Sequence, residues 1–268
     1  MSTALPGFDA PDAVVRFEVR DDHTALVTLN RPDARNAVNG AVATALETIV
    51  DATEADSHIR AIVLASSHPD VFSAGADLKE IAAGQRASLR TERGGFAGLV
   101  FAKRDKPWIV AVDGKALAGG CELVLACDMV VASPRASFGL PEVLRGLIAA
   151  AGGLYRLPRA LPPNIALEMI ATALPIDAER AHHFGFVNRL VPPERVLEEA
   201  LLLASQIAGN APIAVRESLR VARTALDLDE RELRQCSVVG MQLAAASDDY
   251  FEGPRAFIEK RPPRWTGR

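Results

Sequence analysis

The sequence predicts an α/β fold that gives way to a mostly helical C-terminal part. Three observations carry this. The short runs at residues 61–65 (Ala-Ile-Val-Leu-Ala) and 108–112 (Trp-Ile-Val-Ala-Val) are wholly apolar, the make-up of strands buried on both faces. Stretches with helical spacing separate them, so strand and helix alternate. After residue 160 the alternation ends and helical patterns dominate.

Taken in order, residues 14–19 and 25–30 are rich in β-branched side chains, flank Asp21-Asp22, and predict a hairpin. Residues 38–55 put Val42, Leu46, Ile49 and Val50 on one helical face. A Ser-, Pro-, Gly- and Ala-rich loop follows the 61–65 strand to Lys79, and a helix is expected over 89–103. Beyond the 108–112 strand, a small-residue turn leads into a helix over 120–127 and a third strand at 129–132. Helices are then expected over 164–173, 177–184, 193–208, 212–226, 229–246 and 248–260, with one strand at 186–191. No repeat of fixed period and no low-complexity tract is present. Past Gly209 no strand candidate remains, and Pro212 suits a helix start, so the chain divides into residues 1–209 and 210–268.

A chain of 268 residues, 49% hydrophobic, is long enough for one large domain or one domain with an appendage. Its net charge of −4 gives no reason to expect nucleic acid or an anionic membrane as partner. Cys121, Cys127 and Cys236 are odd in number and form no CxxC pair, which fits a reducing, cytoplasmic setting. Residues 1–11 lack the pattern of a secretory signal. Apolar patches such as 200–208 are too short to span a bilayer.

Two glutamates and two glycine-containing turns carry the chemistry. Residues 118–120 (Ala-Gly-Gly) follow a buried strand and open a helix, where unpaired N–H groups and the helix dipole favour an oxyanion. Residues 74–77 (Ala-Gly-Ala-Asp) offer a second N–H from another strand end, and two donors on one oxygen make an oxyanion hole. Either turn alone is equally an ordinary tight turn. Glu122 lies in the first turn of the expected helix, where a carboxylate also suits the dipole, so spacing leaves it between a structural and a chemical role. Glu142 follows Pro141, a common helix start, twenty positions later. Two carboxylates sharing one site titrate as a coupled pair and can offer an acid and a base together.

Other signatures are missing: no GxSxG elbow, GxGxxG fingerprint, GK[ST] loop or HExxH. Neighbouring side chains on a helix point about 100° apart, so His182 and His183 read as surface or packing residues and no metal site is expected. Cys121 reads as a small buried residue against the sheet, and Asp77 as a helix cap.

With those residues in view, the chain resembles the crotonase (enoyl-CoA hydratase/isomerase) superfamily over nearly its whole length. The matching landmarks run in family order: Leu29-Asn30-Arg31-Pro32 with Asn36-Ala37, residues 72–79, residues 114–122, residues 138–142, and residues 257–261. The resemblance implies a spiral of ββα units with a C-terminal helical region that drives homotrimers, often paired as homohexamers. It implies an acyl-CoA thioester substrate, with no metal or redox cofactor. It implies that the N–H groups of Ala76 and Gly119 bind the thioester oxygen. Arg35, Ala74, Asp77, Leu78 and Lys79 would line the CoA groove, and Phe257 and Lys260 would approach the CoA of a neighbouring subunit. Many relatives lack one of the two acids; Glu122 and Glu142 together favour reversible syn hydration of a 2-enoyl-CoA. Hydratases of this family often have three glycines before the Cys-Glu pair, whereas the first here is Ala118. Residues 146–153 and the ending through Trp265 and Gly267-Arg268 are similar to a subgroup that includes crotonobetainyl-CoA hydratases (carnitinyl-CoA dehydratases), and to hydratases for bulkier acyl groups. Residues between Ile81 and Phe101 are expected over the acyl pocket. An enoyl-CoA isomerase relying on Glu142, and a catalytically silent acyl-CoA-binding subunit, remain open alternatives.

Overall fold

A computed structural model describes residues 5–268; the first four residues of the 1–11 segment and of the 1–209 unit lie outside the described residues. Strands β1 (Val15–Val19) and β2 (Thr24–Leu29) form the expected antiparallel hairpin. Helix α1 (Gly40–Ala55) starts where the Asn39 side chain accepts from the Val42 N–H, an N-cap. Then come β3 (Ala61–Ser66), β4 (Val71–Ser73), α2 (Leu78–Ala82), β5 (Arg90–Thr91), β6 (Gly95–Phe96), β7 (Trp108–Val112), β8 (Lys115–Leu117) and α3 (Gly119–Ala126). They are followed by β9 (Met129–Ala132), β10 (Ser137–Gly139), a 3₁₀ turn (Pro141–Arg145), α4 (Gly153–Ala160), α5 (Pro163–Thr172), β11 (Ile176–Asp177), α6 (Ala178–His183) and β12 (Arg189–Leu190). Helices α7 (Val196–Ala208), α8 (Pro212–Arg223), α9 (Glu230–Ala245) and α10 (Asp248–Ile258) complete the chain.

Three successive segments repeat one plan. In β3-β4-α2, β7-β8-α3 and β9-β10-3₁₀ turn, the first strand enters a six-stranded sheet of order β1-β2-β3-β7-β9-β12. The second strand enters a four-stranded sheet of order β11-β10-β8-β4. This is the ββα spiral. Strands β4, β8 and β10 are adjacent and mutually parallel, so their C-terminal ends open on one edge. Segments 74–77, 118–122 and 140–142 leave from those three ends.

The central strands β3, β7 and β9 of the six-stranded sheet are buried on both faces, which is why they read as unbroken apolar runs. Ala61, Val63, Ala65, Ile109, Ala111 and Val131 face α7, which meets them with Val196, Ala200, Ala204 and Ala208 at four-residue spacing. The alternate residues Ile62, Leu64, Trp108 and Val110 enter the main core with Leu46 and Ile49 of α1, Phe72 and Phe138. After residue 209, α8 and α9 pack against each other. The tail returns to the body, where the Trp265 ring N–H donates to Gly209 O at 2.8 Å and Arg60 Nη2 donates to Trp265 O at 2.9 Å.

Five expectations need correction. The helix expected over 89–103 is instead a 3₁₀ turn (Arg86–Leu89) and the β5-β6 hairpin. Gly95 (φ +65°) and Gly98 (φ +67°) sit in the left-handed region, which no helix continues through. The 66–79 loop contains β4, and the turn after β7 contains β8. Strands β10 and β11 and helix α4 are additional to the expected elements, and Glu142 stands in a 3₁₀ turn rather than an α-helix.

Candidate active site

The first backbone donor is set by a single parallel bridge. The Val38 N–H donates to Gly75 O at 2.7 Å, and the Asp77 N–H donates to Val38 O at 2.8 Å. Such a bridge uses the groups on either side of Ala76, so the N–H and C=O of Ala76 itself point away from Val38. Gly119 lies against the same loop. A Cβ placed on Gly75 (φ +84°) would stand 2.6 Å from the Gly119 nitrogen. The two main chains approach this closely because residue 75 has no side chain. Gly119 is the first residue of α3, where an N–H has no intrahelical acceptor and sits at the positive end of the dipole. Among the described residues neither the Ala76 nor the Gly119 N–H donates a hydrogen bond.

Ala118 joins this turn to the third strand end. Its N–H donates to Gly139 O at 2.9 Å, while its carbonyl accepts from the Glu122 N–H at 3.1 Å. It does so at φ 51°, ψ −128°, a conformation that suits glycine. The turn bearing Glu122 and the segment leading to Glu142 are thereby pinned together.

Glu122 is 4% exposed. Its Oε1 accepts from the Gly153 N–H at 3.0 Å, and the Ala151 amide is near enough to favour the charged carboxylate. Gly153 must be glycine there: a Cβ would lie 2.8 Å from Ala149 Cβ and 2.9 Å from Leu140 Cδ1. Burial pushes the Glu122 carboxyl up to about 7, aided by the charge of Glu142 and opposed by the two amides and Arg156. The Glu142 carboxyl is also raised, chiefly by burial, with its own backbone amide and Arg145 opposing. Its Oε2 is sealed from solvent without a hydrogen-bond partner. A buried acceptor left unpaired costs about 1–3 kcal/mol, so this carboxyl favours a proton or a polar partner. Both acids also raise the Cys121 thiol, after burial itself, which agrees with Cys121 as a fully buried packing residue.

The remaining predicted residues divide in two. The Arg35 carbonyl accepts from the Ala74 N–H at 3.0 Å, so these two lie side by side next to the bridge. Leu78 and Lys79 are exposed at the start of α2. The Asp77 carboxylate caps that helix through the Lys79 N–H at 3.1 Å and pairs with Arg31 at 3.0 Å. Its side chain is thus already engaged within the chain. Phe257 is 85% exposed at the end of α10, and Lys260 follows it on the surface. No hydrogen bond among the described residues joins either to the 74–79 segment. Phe96 is a further residue, one the sequence does not single out: its ring lies where a Gly119 Cβ would come within 2.5 Å, so it covers the candidate oxyanion turn. It falls inside the 81–101 stretch expected over the acyl pocket. Ala151, Gly152 and Gly153 stand out in the sequence only as a likeness; their place beside Glu122 emerges from the fold. Among the described residues, no group of three or more His, Cys, Asp or Glu is placed to hold a metal ion. No helix among them is long and apolar enough to cross a membrane.

The family model for enoyl-CoA hydratase/isomerase matches residues 20–268. A carnitinyl-CoA dehydratase of Salmonella arizonae is 39% identical over 246 residues, which is 90% of this chain and 94% of that protein. Among solved structures, an enoyl-CoA hydratase from Mycobacterium tuberculosis H37Rv superposes with a TM-score of 0.91 at 39% identity, covering 97% of this chain and 100% of that one. A carnitinyl-CoA hydratase from Mycobacterium avium is 44% identical with a TM-score of 0.75, covering 96% and 99% of the two chains.

Proposed function

Because the chain belongs to the enoyl-CoA hydratase/isomerase family, we propose that it adds water reversibly, on one face, across the double bond of a 2-enoyl-CoA to give a 3-hydroxyacyl-CoA. What supports this reading is that two raised carboxyl groups and two undonated amides lie on segments leaving adjacent strand ends. Chemically, hydration at the β-carbon places negative charge on the thioester oxygen. The Ala76 and Gly119 N–H groups are the donors for that oxygen, and one such donor is worth about 2.7–4 kcal/mol in the transition state.

Water lies between the acids. Glu122, held by the Gly153 amide, is the one suited to orient water and take its proton. Glu142, whose carboxyl burial raises, delivers a proton to the α-carbon from the same side. Oxygen bonds to the β-carbon, hydrogen to the α-carbon, and the thioester is regenerated. No step requires a redox change.

Arg35, Ala74 and the 77–79 backbone are assigned to the CoA groove, with Asp77 acting through main-chain atoms since its carboxylate is engaged. Residues 210–268 are assigned to assembly as a homotrimer or homohexamer. Val238, Val239, Met241 and Leu243 of α9 and Phe251 of α10 are exposed apolar side chains in need of a partner surface. In that assembly Phe257 and Lys260 would reach a neighbour's CoA. The acyl group is open to a second reading: the M. avium and S. arizonae relatives favour a betaine-bearing substrate, crotonobetainyl-CoA. The test is turnover of short, long, branched, aromatic and betaine-bearing enoyl-CoA thioesters by wild type, Glu122→Gln and Glu142→Gln. Loss on the order of 10²-fold or more in each variant supports the reading. A shifted alkene as sole product would favour an isomerase, and tight binding without turnover a silent subunit.

A further inference from the structure

Helix α4 begins at the turn that grips Glu122, and three residues further along it carries Arg156. Side chains on a helix lean toward its N-terminus, and this one folds back over the turn. Arg156 Nη1 lies 2.9 Å, and Cδ 3.3 Å, from the position a Cβ on Gly152 would take. Gly152 (φ +108°) leaves that space open. Nη2 donates to Val100 O at 2.8 Å, and the Arg156 N–H donates to Gly152 O at 2.9 Å. The guanidinium is thus tied to the 100 segment on one side and rests on Gly152 on the other. The acceptor at Nη2 is a carbonyl rather than a carboxylate, and Nη1 is sealed from solvent with no partner.

We propose that Arg156 is a positioning residue for Glu122: seated on Gly152 and anchored to Val100, its guanidinium braces the turn whose Gly153 amide holds that carboxylate and presents a positive charge toward it. The inference rests on the reading of Glu122 as a catalytic carboxylate. The electrostatics are reciprocal, as they must be: Arg156 lowers the Glu122 carboxyl, and Glu122 raises the Arg156 guanidinium, which burial lowers. The charged and titratable groups around Glu122 are Cys121 on its own helix, Glu142 from the 3₁₀ turn and Arg156 from α4. Arg156 in turn faces Tyr155 on its own helix, Arg104 from the segment before β7, and Cys127 from the end of α3.

The test uses the intact protein labelled with carboxyl-¹³C glutamate, the Glu122 resonance being assigned with Glu122→Gln. Its titration is followed in wild type, Arg156→Met, Arg156→Gln and Arg156→Lys. Removing a nearby opposite charge is expected to move the midpoint upward in both neutral variants, by more than in the lysine variant. Arg156→Lys keeps the charge and should stay within a few tenths of wild type. In turnover, the neutral variants should lose kcat near pH 7, recover it at higher pH, and keep KM within about twofold. Arg156→Gln retains an amide donor for Val100 and carries the comparison if Arg156→Met does not fold. Midpoints unchanged in the neutral variants, or a lysine variant no closer to wild type than methionine, would overturn the proposal and leave Arg156 as packing. Wild type inert toward every enoyl-CoA would refute the hydratase reading, while the NMR midpoint would still decide the role of Arg156.

Discussion

Replacing Glu122 by Gln should make the protein relatively more stable as pH rises, even as it removes activity. The Glu122 carboxyl lies near 4.5 in the ordinary case and at about 7 here. The folded state therefore holds this proton more tightly than the unfolded chain does. The stabilisation is fully present below about pH 4.5 and is lost as pH climbs through about 7. Integrating that difference between about pH 5 and about pH 8 gives a loss of about 2–3 kcal/mol for the wild type. The amide of the Glu122→Gln variant has no such dependence, yet keeps an oxygen for the Gly153 N–H. Urea unfolding can be followed by the fluorescence of Trp108, which is fully buried. The stability of Glu122→Gln minus that of wild type should grow by about 2–3 kcal/mol across this range. A difference that stays flat, or that shrinks with rising pH, would refute the claim that Glu122 is a buried acid held above its ordinary range.

Further outcomes are expected at the turns. Gly75→Ala drives a methyl against the Gly119 nitrogen and should lower kcat by roughly 10²–10³-fold, since it spoils the donor geometry; steady-state kinetics check this. Ala118→Gly relieves a left-handed alanine and should stabilise the fold by about 1 kcal/mol in denaturant titration. Gly153→Ala forces apart Ala149 and Leu140, moves the amide off Glu122, and should shift the kcat pH profile as well as its height. Ala204→Leu overfills the contact of α7 with the sheet and should cost about 1–3 kcal/mol, read as a fall in Tm.

The long apolar strands were legible because burial on both faces leaves only one kind of residue along them, as in Ala61–Ser66 and Trp108–Val112. The cores of the longer helices were legible from their period: α1 repeats its buried positions over about three turns, as Val42, Leu46, Ile49, Val50 and Thr53 show. Strands β4, β8 and β10 were not, because three residues are too few to display a period. Yet those three strands lead into the segments that carry Ala76, Gly119, Glu122 and Glu142. The 89–103 stretch misled because its apolar residues suit a helix, while two glycines at positive φ forbid one. Ala76, Gly119, Glu122 and Glu142 could be named from turn chemistry and resemblance. Phe96, Gly153 and Arg156 could not, because each acts through contact with a residue distant in the chain, and a single sequence carries no record of such contacts. Phe257 and Lys260 face outward in this chain, so their expected role depends on a second copy.

A crystal structure with a bound 3-hydroxyacyl-CoA tests the central claim most directly. The account predicts the thioester oxygen within hydrogen-bond reach of both the Ala76 and Gly119 nitrogens, and the 3-hydroxyl between the carboxyl groups of Glu122 and Glu142. A thioester seated elsewhere, or a hydroxyl touching neither acid, would contradict it.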